Sequence, residues 1–332
     1  MSVTVGIDIG TTAVKAVATD DDGTVVASAR VPHRVLTPAS DRLEHDADLV
    51  WRRAVRRAYR SVSRDVEVVA ASVVAMVPSL TAVDGRGRPV GPGLLYGDAR
   101  GAPADPSADP SASGELVGFV RWLAAERPDA AGYWPAQAVA NHALCGRPVI
   151  DGAVAFCALP LFDGQGWDEA VATAAGARVE QLPDVVGGSE PIGRTADGAV
   201  LGPGTVDALA AQLVAGADNP GDVLVLCGAT LITWVVAPGW VTAPGLWTVP
   251  HTAPGMCLVG GPSNAGGLFL DWAVRRTGPA RREPPVLPAD VPVWLPYARG
   301  ERTPLYRSDL RAELHDAHLA HGPAAIRRAA YE

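Results

Sequence analysis

The sequence predicts a two-domain α/β protein, and three observations carry that expectation. The chain has 332 residues, 48% of them hydrophobic and only 19% charged, which is ample apolar material for a large core and too little charge for disorder. At about 100–200 residues per domain, the length suggests two domains. Strand-like β-branched runs alternate with amphipathic helical patterns, and no Asp, Glu, Lys or Arg occurs between Asp222 and Asp271. The apolar run 223–236 inside that stretch is too short for a bilayer, and Gly228, Pro238, Pro244, Pro250 and Pro254 break it and the residues after it. Strands buried on both faces and joined by tight turns are therefore expected there.

Taken in order, residues 3–9 read as a strand, Gly10-Thr11-Thr12 as a turn, and Val14, Val17 and Thr19 as a second strand. Asp20-Asp21-Asp22-Gly23 is a turn signal before a third strand at 24–31, so the chain opens as an antiparallel meander. Asp46 or Asp48 caps a helix with Leu49, Val50, Ala54, Val55, Ala58 and Tyr59 on one side and Arg52, Arg53, Arg56, Arg57 and Arg60 elsewhere. That basic face reads as solvated helix surface. A buried strand is expected at 66–75, a strand at 80–83 before the turn Asp84-Gly85-Arg86-Gly87, a surface loop at 101–114, and a helix at 116–126 around Trp122 and Leu123. Residues 187–204 are turn-rich and look like a domain crossing, with helices at 206–217, at 264–276 and from Arg327. No internal repeat is evident.

A net charge of −8 with no long Lys/Arg run argues against nucleic acid or a membrane surface as the main partner, but leaves small anions, which a few backbone amides can bind. All basic residues are Arg except Lys15, a bias of composition that still singles out one position, since the two cations present different geometries. Cys145, Cys157, Cys227 and Cys257 form no CxxC pair, so neither zinc nor disulfides are indicated and buried free thiols are expected. No basic segment followed by an apolar one opens the chain, and a cytoplasmic protein is expected.

The segment Asp8-Ile9-Gly10-Thr11-Thr12, with Lys15 on the next strand, carries the most chemistry. A strand-end carboxylate can face a magnesium ion through water while the hairpin amides and hydroxyls meet phosphates, and a compact cation reaches the same phosphates. By itself the segment also reads as an ordinary hairpin with a solvent-facing Asp.

Several separated segments resemble the FGGY family of carbohydrate kinases, in order. The hairpin is similar to the family's DxGTTxxK. Residues 83–89 with Leu94-Leu95-Tyr96-Gly97-Asp98-Ala99-Arg100 resemble its strand-turn-strand ending in WxDxR, Tyr96 replacing Trp. Leu144-Cys145-Gly146 through Asp151 resembles LTGxxxxD, and Leu161-Phe162-Asp163 with Trp167-Asp168 resembles LFD...WD. Further on, Gly204-Thr205-Val206-Asp207 resembles GxxD, Cys227-Gly228-Ala229-Thr230 the GTS turn, Asn264-Ala265-Gly266-Gly267 with Trp272 the NAGG...W helix, and residues 295–304 the PYLxGERTP segment. The resemblance covers essentially the whole chain.

It implies two ribonuclease-H-like domains of the actin/hexokinase ATPase superfamily around a cleft, a sugar-side domain at 1–198 and the first part of a nucleotide-side domain at 199–332. The implied reaction is ATP-dependent phosphorylation of a sugar, ketose or polyol, of xylulose- or gluconate-kinase type, with ATP and Mg²⁺ required. Asp207 matches the catalytic base; without the family match it reads as a helix N-cap. Asp8 would organise Mg²⁺, while Gly10, Thr11, Thr12 and Lys15 face the phosphates and Gly228 and Thr230 form a second phosphate turn. Met76, Asp98 and Arg100 fall on the sugar-side segments, where an exposed Asp/Arg pair is the other reading. Glu301 and Arg302 read as an ion pair bracing a loop. The expected partner is a small sugar or polyol, with neither nucleic acid nor membrane; a homodimer is the assembly considered.

Four departures qualify the match. Ala75-Met76-Val77-Pro78 stands where xylulose kinases carry Gln-Met-His, so a sugar-binding His is missing and the accepted hydroxyl pattern should differ. Ala229 replaces the Thr of GTS, residues 309–314 lack the family's turn Gly, and the chain ends at Glu332, before the family's Gly-Gly-Gly-Ala nucleotide turn. A truncated chain, or a partner completing the domain, is expected, and with it a second reading: a sugar-binding or regulatory homologue without ATP chemistry. An actin-like or chaperone-like protein shares only DxGTT.

Overall fold

The computed structural model describes residues 2–101, 114–188, 190–251, 253, 255–278 and 291–332. The surface loop expected at 101–114 falls almost wholly outside them. Two compact units result, 1–214 and 215–332. Residues 199–214, expected to open the second domain, belong to the first unit because strands in that segment pair with its central sheet.

In the first unit the opening meander forms as expected. β1 (Ser2–Ile9), β2 (Ala13–Thr19) and β3 (Val25–Pro32) pair antiparallel in sequence. Alternation is strict on β1: Val3, Val5, Ile7 and Ile9 are buried, which turns Asp8 to the other face. The two-residue β4 (Glu44–His45) precedes a π-type turn over Asp48–Ala54 that continues into α1 (Val55–Val62). Of the two candidate caps, Asp46 accepts the Leu49 N–H at 2.9 Å, whereas Asp48 turns to Arg52 and Arg53. The core face of this helix is Val50, Trp51, Ala54, Val55, Ala58, Tyr59 and Val62; Leu49, expected on it, is exposed.

Next, β5 (Glu67–Ala75) lies parallel to β1. A smaller sheet comes after it, ordered β4-β7-β6-β8 and built from β6 (Ser79–Val83), β7 (Gly93–Leu95) and β8 (Gly132–Trp134), with α2 (Glu115–Glu126) packed on it. Then come α3 (Ala136–Cys145), β9 (Val149–Asp151), α4 (Gly152–Phe156), α5 (Glu169–Ala174) and β10 (Asp184–Val186). The short β11 (Gly193–Arg194), β12 (Val200–Leu201) and β13 (Thr205–Val206) complete the main sheet in the order β11-β12-β5-β1-β2-β3, with β13 also parallel to β5. The last helix here is α6 (Asp207–Ala215).

In the second unit β14 (Val223–Cys227), β15 (Leu231–Pro238), β16 (Trp247–Pro250) and β17 (Met256–Ser263) form an antiparallel sheet ordered β14-β15-β17-β16. After it come α7 (Gly267–Thr277), the pair β18 (Val293–Leu295) and β19 (Glu313–His315), and α8 (Pro323–Tyr331). The two-sided burial expected here holds for β17 but not for β14, where Val223 and Val225 are exposed while Leu224 is buried. One face of β14 is thus uncovered among the described residues, and that alternation marks a half-buried strand. All four cysteines are free, yet only Cys257 is buried, and Cys227 at the β14 end is exposed. Among the described residues no helix is long and apolar enough to cross a membrane.

Candidate active site

Three parallel strands of the first unit bring the leading candidates to one edge. In the register of the main sheet Asp8 faces Val74 on β5, and Val74 faces Thr205 on β13. Asp8 at the end of β1, Met76 just after β5 and Asp207 just after β13 therefore emerge at the carboxyl ends of neighbouring strands, where open α/β sheets bind ligands. Two strand spacings of about 4.8 Å separate the Asp8 position from that of Thr205.

Lys15 lies opposite Asp8 across the β1–β2 register, and its Nζ donates to Asp8 Oδ2 at 3.1 Å. Both side chains remain open to solvent, so the pair offers a cation and a carboxylate to a ligand. Between them the hairpin closes through the Gly10 N–H to the Ala13 carbonyl at 3.1 Å, leaving Thr12 exposed at the tip. Thr11 is held at both its oxygens. Its hydroxyl bonds Tyr96 Oη at 2.8 Å, and its carbonyl accepts from His45 Nε2 at 2.9 Å.

Asp207 opens α6, where Oδ1 accepts the Ala208 N–H at 2.8 Å and Oδ2 has no partner among the described residues. Burial pushes its carboxyl up to about 6, the negative charge of Asp8 pushes the same way, and the Ala208 N–H opposes them. The N-cap reading accounts for the bond to Ala208 but not for a carboxyl held so far above its ordinary range. What fixes Asp207 is the loop before it. The Pro203 carbonyl accepts from Gln137 Nε2 at 2.8 Å and from Asn141 Nδ2 at 2.9 Å, and Gly204 turns through φ +77° against β5. Gln137 and Asn141 are buried on α3 and were not anticipated; two amides four residues apart on an otherwise Ala/Val-rich helix were the available signal.

The sugar-side candidates are placed differently from the exposed pair considered above. The Asp98 side chain is 0% exposed and that of Arg100 5%. Asp98 Oδ2 accepts the Leu43 N–H and Arg100 Nη2, both at 2.6 Å, while Oδ1 accepts the backbone and side-chain N–H groups of Arg100. Arg100 also pairs with Glu44 at 2.6 Å and stacks over the Trp122 ring at 4.6 Å. Burial without these partners would strand two charges, so the cluster is an internal brace. Met76 is buried in the main core.

His45 shows why one tautomer is enforced. The Trp51 indole N–H, a donor only, points at Nδ1 at 3.1 Å, so Nδ1 must be unprotonated and Nε2 must carry the hydrogen given to Thr11. Burial holds the ring down to about 4, with His33 adding to the same effect. An unfolded His45 is protonated near pH 6.5, so its contribution to stability is complete above that and lost as pH falls from 6.5 towards 4. Stability should decline by up to about 3 kcal/mol over that window. Denaturant midpoints measured across it should shift less in His45→Gln; equal shifts in both proteins would refute the assignment.

In the second unit the Gly228–Thr230 hairpin closes from the Gly228 N–H to the Thr230 carbonyl at 2.9 Å. The start of α7 seats on it: the Gly267 and Leu268 N–H groups donate to the Gly228 and Ala229 carbonyls at 2.8 and 3.1 Å. A Cβ on Gly266 would lie 2.2 Å from the Thr230 carbonyl carbon, which is why two glycines open this helix. The brace expected of Glu301 and Arg302 runs through Asn264. The buried Glu301 carboxylate accepts the Ser263 hydroxyl, the Asn264 N–H and the Arg302 N–H at 2.6, 2.8 and 2.6 Å, and Arg302 Nε donates to Asn264 Oδ1 at 3.0 Å.

Residues 3–105 match the N-terminal domain of the FGGY family of carbohydrate kinases. The chain resembles that family over this segment. It is 23% identical over its whole length to the gluconokinase of Bacillus subtilis, spanning 74% of it, and 28% identical over 70% of its length to the xylulose kinase of Streptomyces rubiginosus, spanning 54% of it. Among solved structures, the gluconate kinase and the ligand-bound xylulose kinase of Lactobacillus acidophilus each superpose with a TM-score of 0.82 at 19% and 18% identity, over 99% of this chain and 75% of theirs. The chain therefore shares the fold of these two kinases, with two α/β units, over about three quarters of their length. The relatives it resembles are carbohydrate kinases, a likeness consistent with a phosphotransferase.

Proposed function

We propose that this protein transfers the γ-phosphoryl group of Mg·ATP to a hydroxyl of a sugar, ketose, aldonate or polyol, with Asp207 as general base. The observation that carries the reading is Asp207 itself: a carboxyl at a helix N-terminus, with one oxygen unpartnered among the described residues, held near pH 6, at the same sheet edge as Asp8 and Lys15. A base with such a pKa is mostly ionised at neutral pH, yet basic enough to take a proton as the bond to phosphorus forms. In the step, the acceptor oxygen bonds the γ-phosphorus, its proton passes to Asp207, and ADP leaves with the bridging oxygen.

The residues present fit a magnesium ion. Mg²⁺ keeps several waters and takes one or two carboxylates together with substrate phosphates, and Asp8 supplies one such carboxylate near a second negative group; no cluster of three metal-ligating side chains exists among the described residues. When bound, the ion would neutralise charge developing on the phosphate oxygens. Asp8 would hold it, while Gly10, Thr11, Thr12 and Lys15 would receive phosphates and Gly228 and Thr230 would form the second phosphate turn. Asp98 and Arg100 would shape the sugar pocket from within instead of touching the sugar, and Met76 would back it.

The test is a coupled ADP-release assay over pentuloses, aldonates and polyols, with calorimetry for sugar and for Mg·ATP. Turnover with at least one acceptor is expected. Sugar binding with no Mg·ATP binding would overturn the kinase reading in favour of a sugar-binding homologue.

A further inference from the structure

We propose that His45 is a positioning residue for the Gly10–Thr12 hairpin, fixing it jointly with Tyr96 by holding the two oxygens of Thr11. The proposal rests on the reading of that hairpin as a phosphate site. His45 and Tyr96 both bond Thr11, one of the two central residues of the turn, and so decide where its backbone stands. The Thr11 carbonyl takes the His45 Nε2 hydrogen at 2.9 Å, and the Thr11 hydroxyl meets Tyr96 Oη at 2.8 Å. Backbone donors aimed at phosphates work only if they are held in place before the ligand arrives, so an anchor on Thr11 acts on binding through geometry.

The donor–acceptor sequence leaves no freedom. Trp51 can only donate, His45 must accept at Nδ1, and Nε2 must then donate to a group that can only accept. Both ends of the chain of bonds are fixed, Trp51 because it is fully buried and Thr11 because it sits inside the turn that the Gly10 N–H and the Ala13 carbonyl close.

The strand that carries His45 has a second attachment. Side chains alternate along a strand, so Glu44 faces away from His45, and there it pairs with Arg100 at 2.6 Å, itself clamped on Asp98. Tyr96 lies two residues before Asp98. Both anchors of Thr11 therefore spring from the segments that hold the Asp98–Arg100 brace, and the phosphate hairpin and the sugar-side segment are held as one body. Packing alone would not require a residue with one donor and one acceptor at position 45.

That requirement gives the test, made on the whole chain by calorimetry with Mg·ATP and, separately, with the sugar identified by ADP release. His45→Gln keeps one donor and one acceptor and should bind Mg·ATP within about threefold of the wild type, whereas His45→Leu keeps bulk only and should bind about tenfold more weakly, with sugar affinity unchanged in both. Tyr96→Phe removes one hydroxyl without a cavity and should cost about threefold, so it carries the test if His45→Leu fails to fold. Folded His45→Leu binding like the wild type, or Gln failing as badly as Leu, would overturn the proposal. A wild-type chain that binds no Mg·ATP overturns the phosphate reading beneath it, and does so before any variant is compared.

Discussion

Asp207→Asn should lose turnover by about 10²–10⁴-fold while gaining stability at neutral pH, a combination that few substitutions produce. The loss comes from removing the proton acceptor while leaving the shape of the side chain. The gain comes from linkage. Asp207 titrates at about 6 when folded against an ordinary 3.8, so its favourable contribution is complete below pH 3.8 and is lost as pH rises through 6. Above that the wild type carries a carboxylate in a poorly solvated site beside Asp8, on the order of 1–3 kcal/mol by the size of the shift. Asn carries no charge, so its advantage should be full at pH 7 and vanish near pH 4. Denaturant unfolding at both values, with ADP release at pH 7, checks the two halves. An Asn variant that is less stable at pH 7, or that turns over like the wild type, would remove Asp207 from the role of base.

Gly204→Ala should abolish folding of the first unit or cost more than about 4 kcal/mol. A Cβ there would lie 1.7 Å from the Val73 carbonyl oxygen and 2.7 Å from Gln137 Nε2, both fixed in the core, and φ at +77° adds strain for any L side chain. Gly146 separates the two causes: its φ is +83° but nothing lies within 4 Å of its would-be Cβ. Gly146→Ala should therefore cost only the left-handed penalty, about 1–2 kcal/mol. Similar losses at the two glycines, read from denaturant midpoints, would show that close contact with β5 does not matter. A milder exchange at Gln137 should also move Asp207, because Gln137 and Asn141 together hold the carbonyl just before Gly204.

The opening meander was legible because β1 alternates strictly and acidic turn residues punctuate it, and both signals are local. Asp8, the Gly10–Thr12 hairpin and Lys15 fall within eight consecutive residues, so their proximity needed no tertiary information. The extent of the first unit was not legible. Residues 187–204 look like a crossing in sequence, but β12 within that stretch and β13 just after it pair with β5, and strand pairing over so long a separation leaves no local trace. Likewise Asp98 and Arg100 read in sequence as sugar-pocket residues or as an exposed charged pair, and neither reading foresees that Glu44, Leu43 and Trp122, from other segments, close around them.

By itself, then, the sequence determined the class of fold and carried the motifs that resemble a kinase family, since periodicity, turn residues and motif spacing are carried by neighbours along the chain. Only the tertiary structure decided that Asp207 stands at the same sheet edge as Asp8 with a raised pKa, that Asp98 and Arg100 face inward, and that His45 holds Thr11. Burial, charge proximity and the pairing of donors with acceptors depend on which distant segments meet, and those meetings exist only in the folded chain.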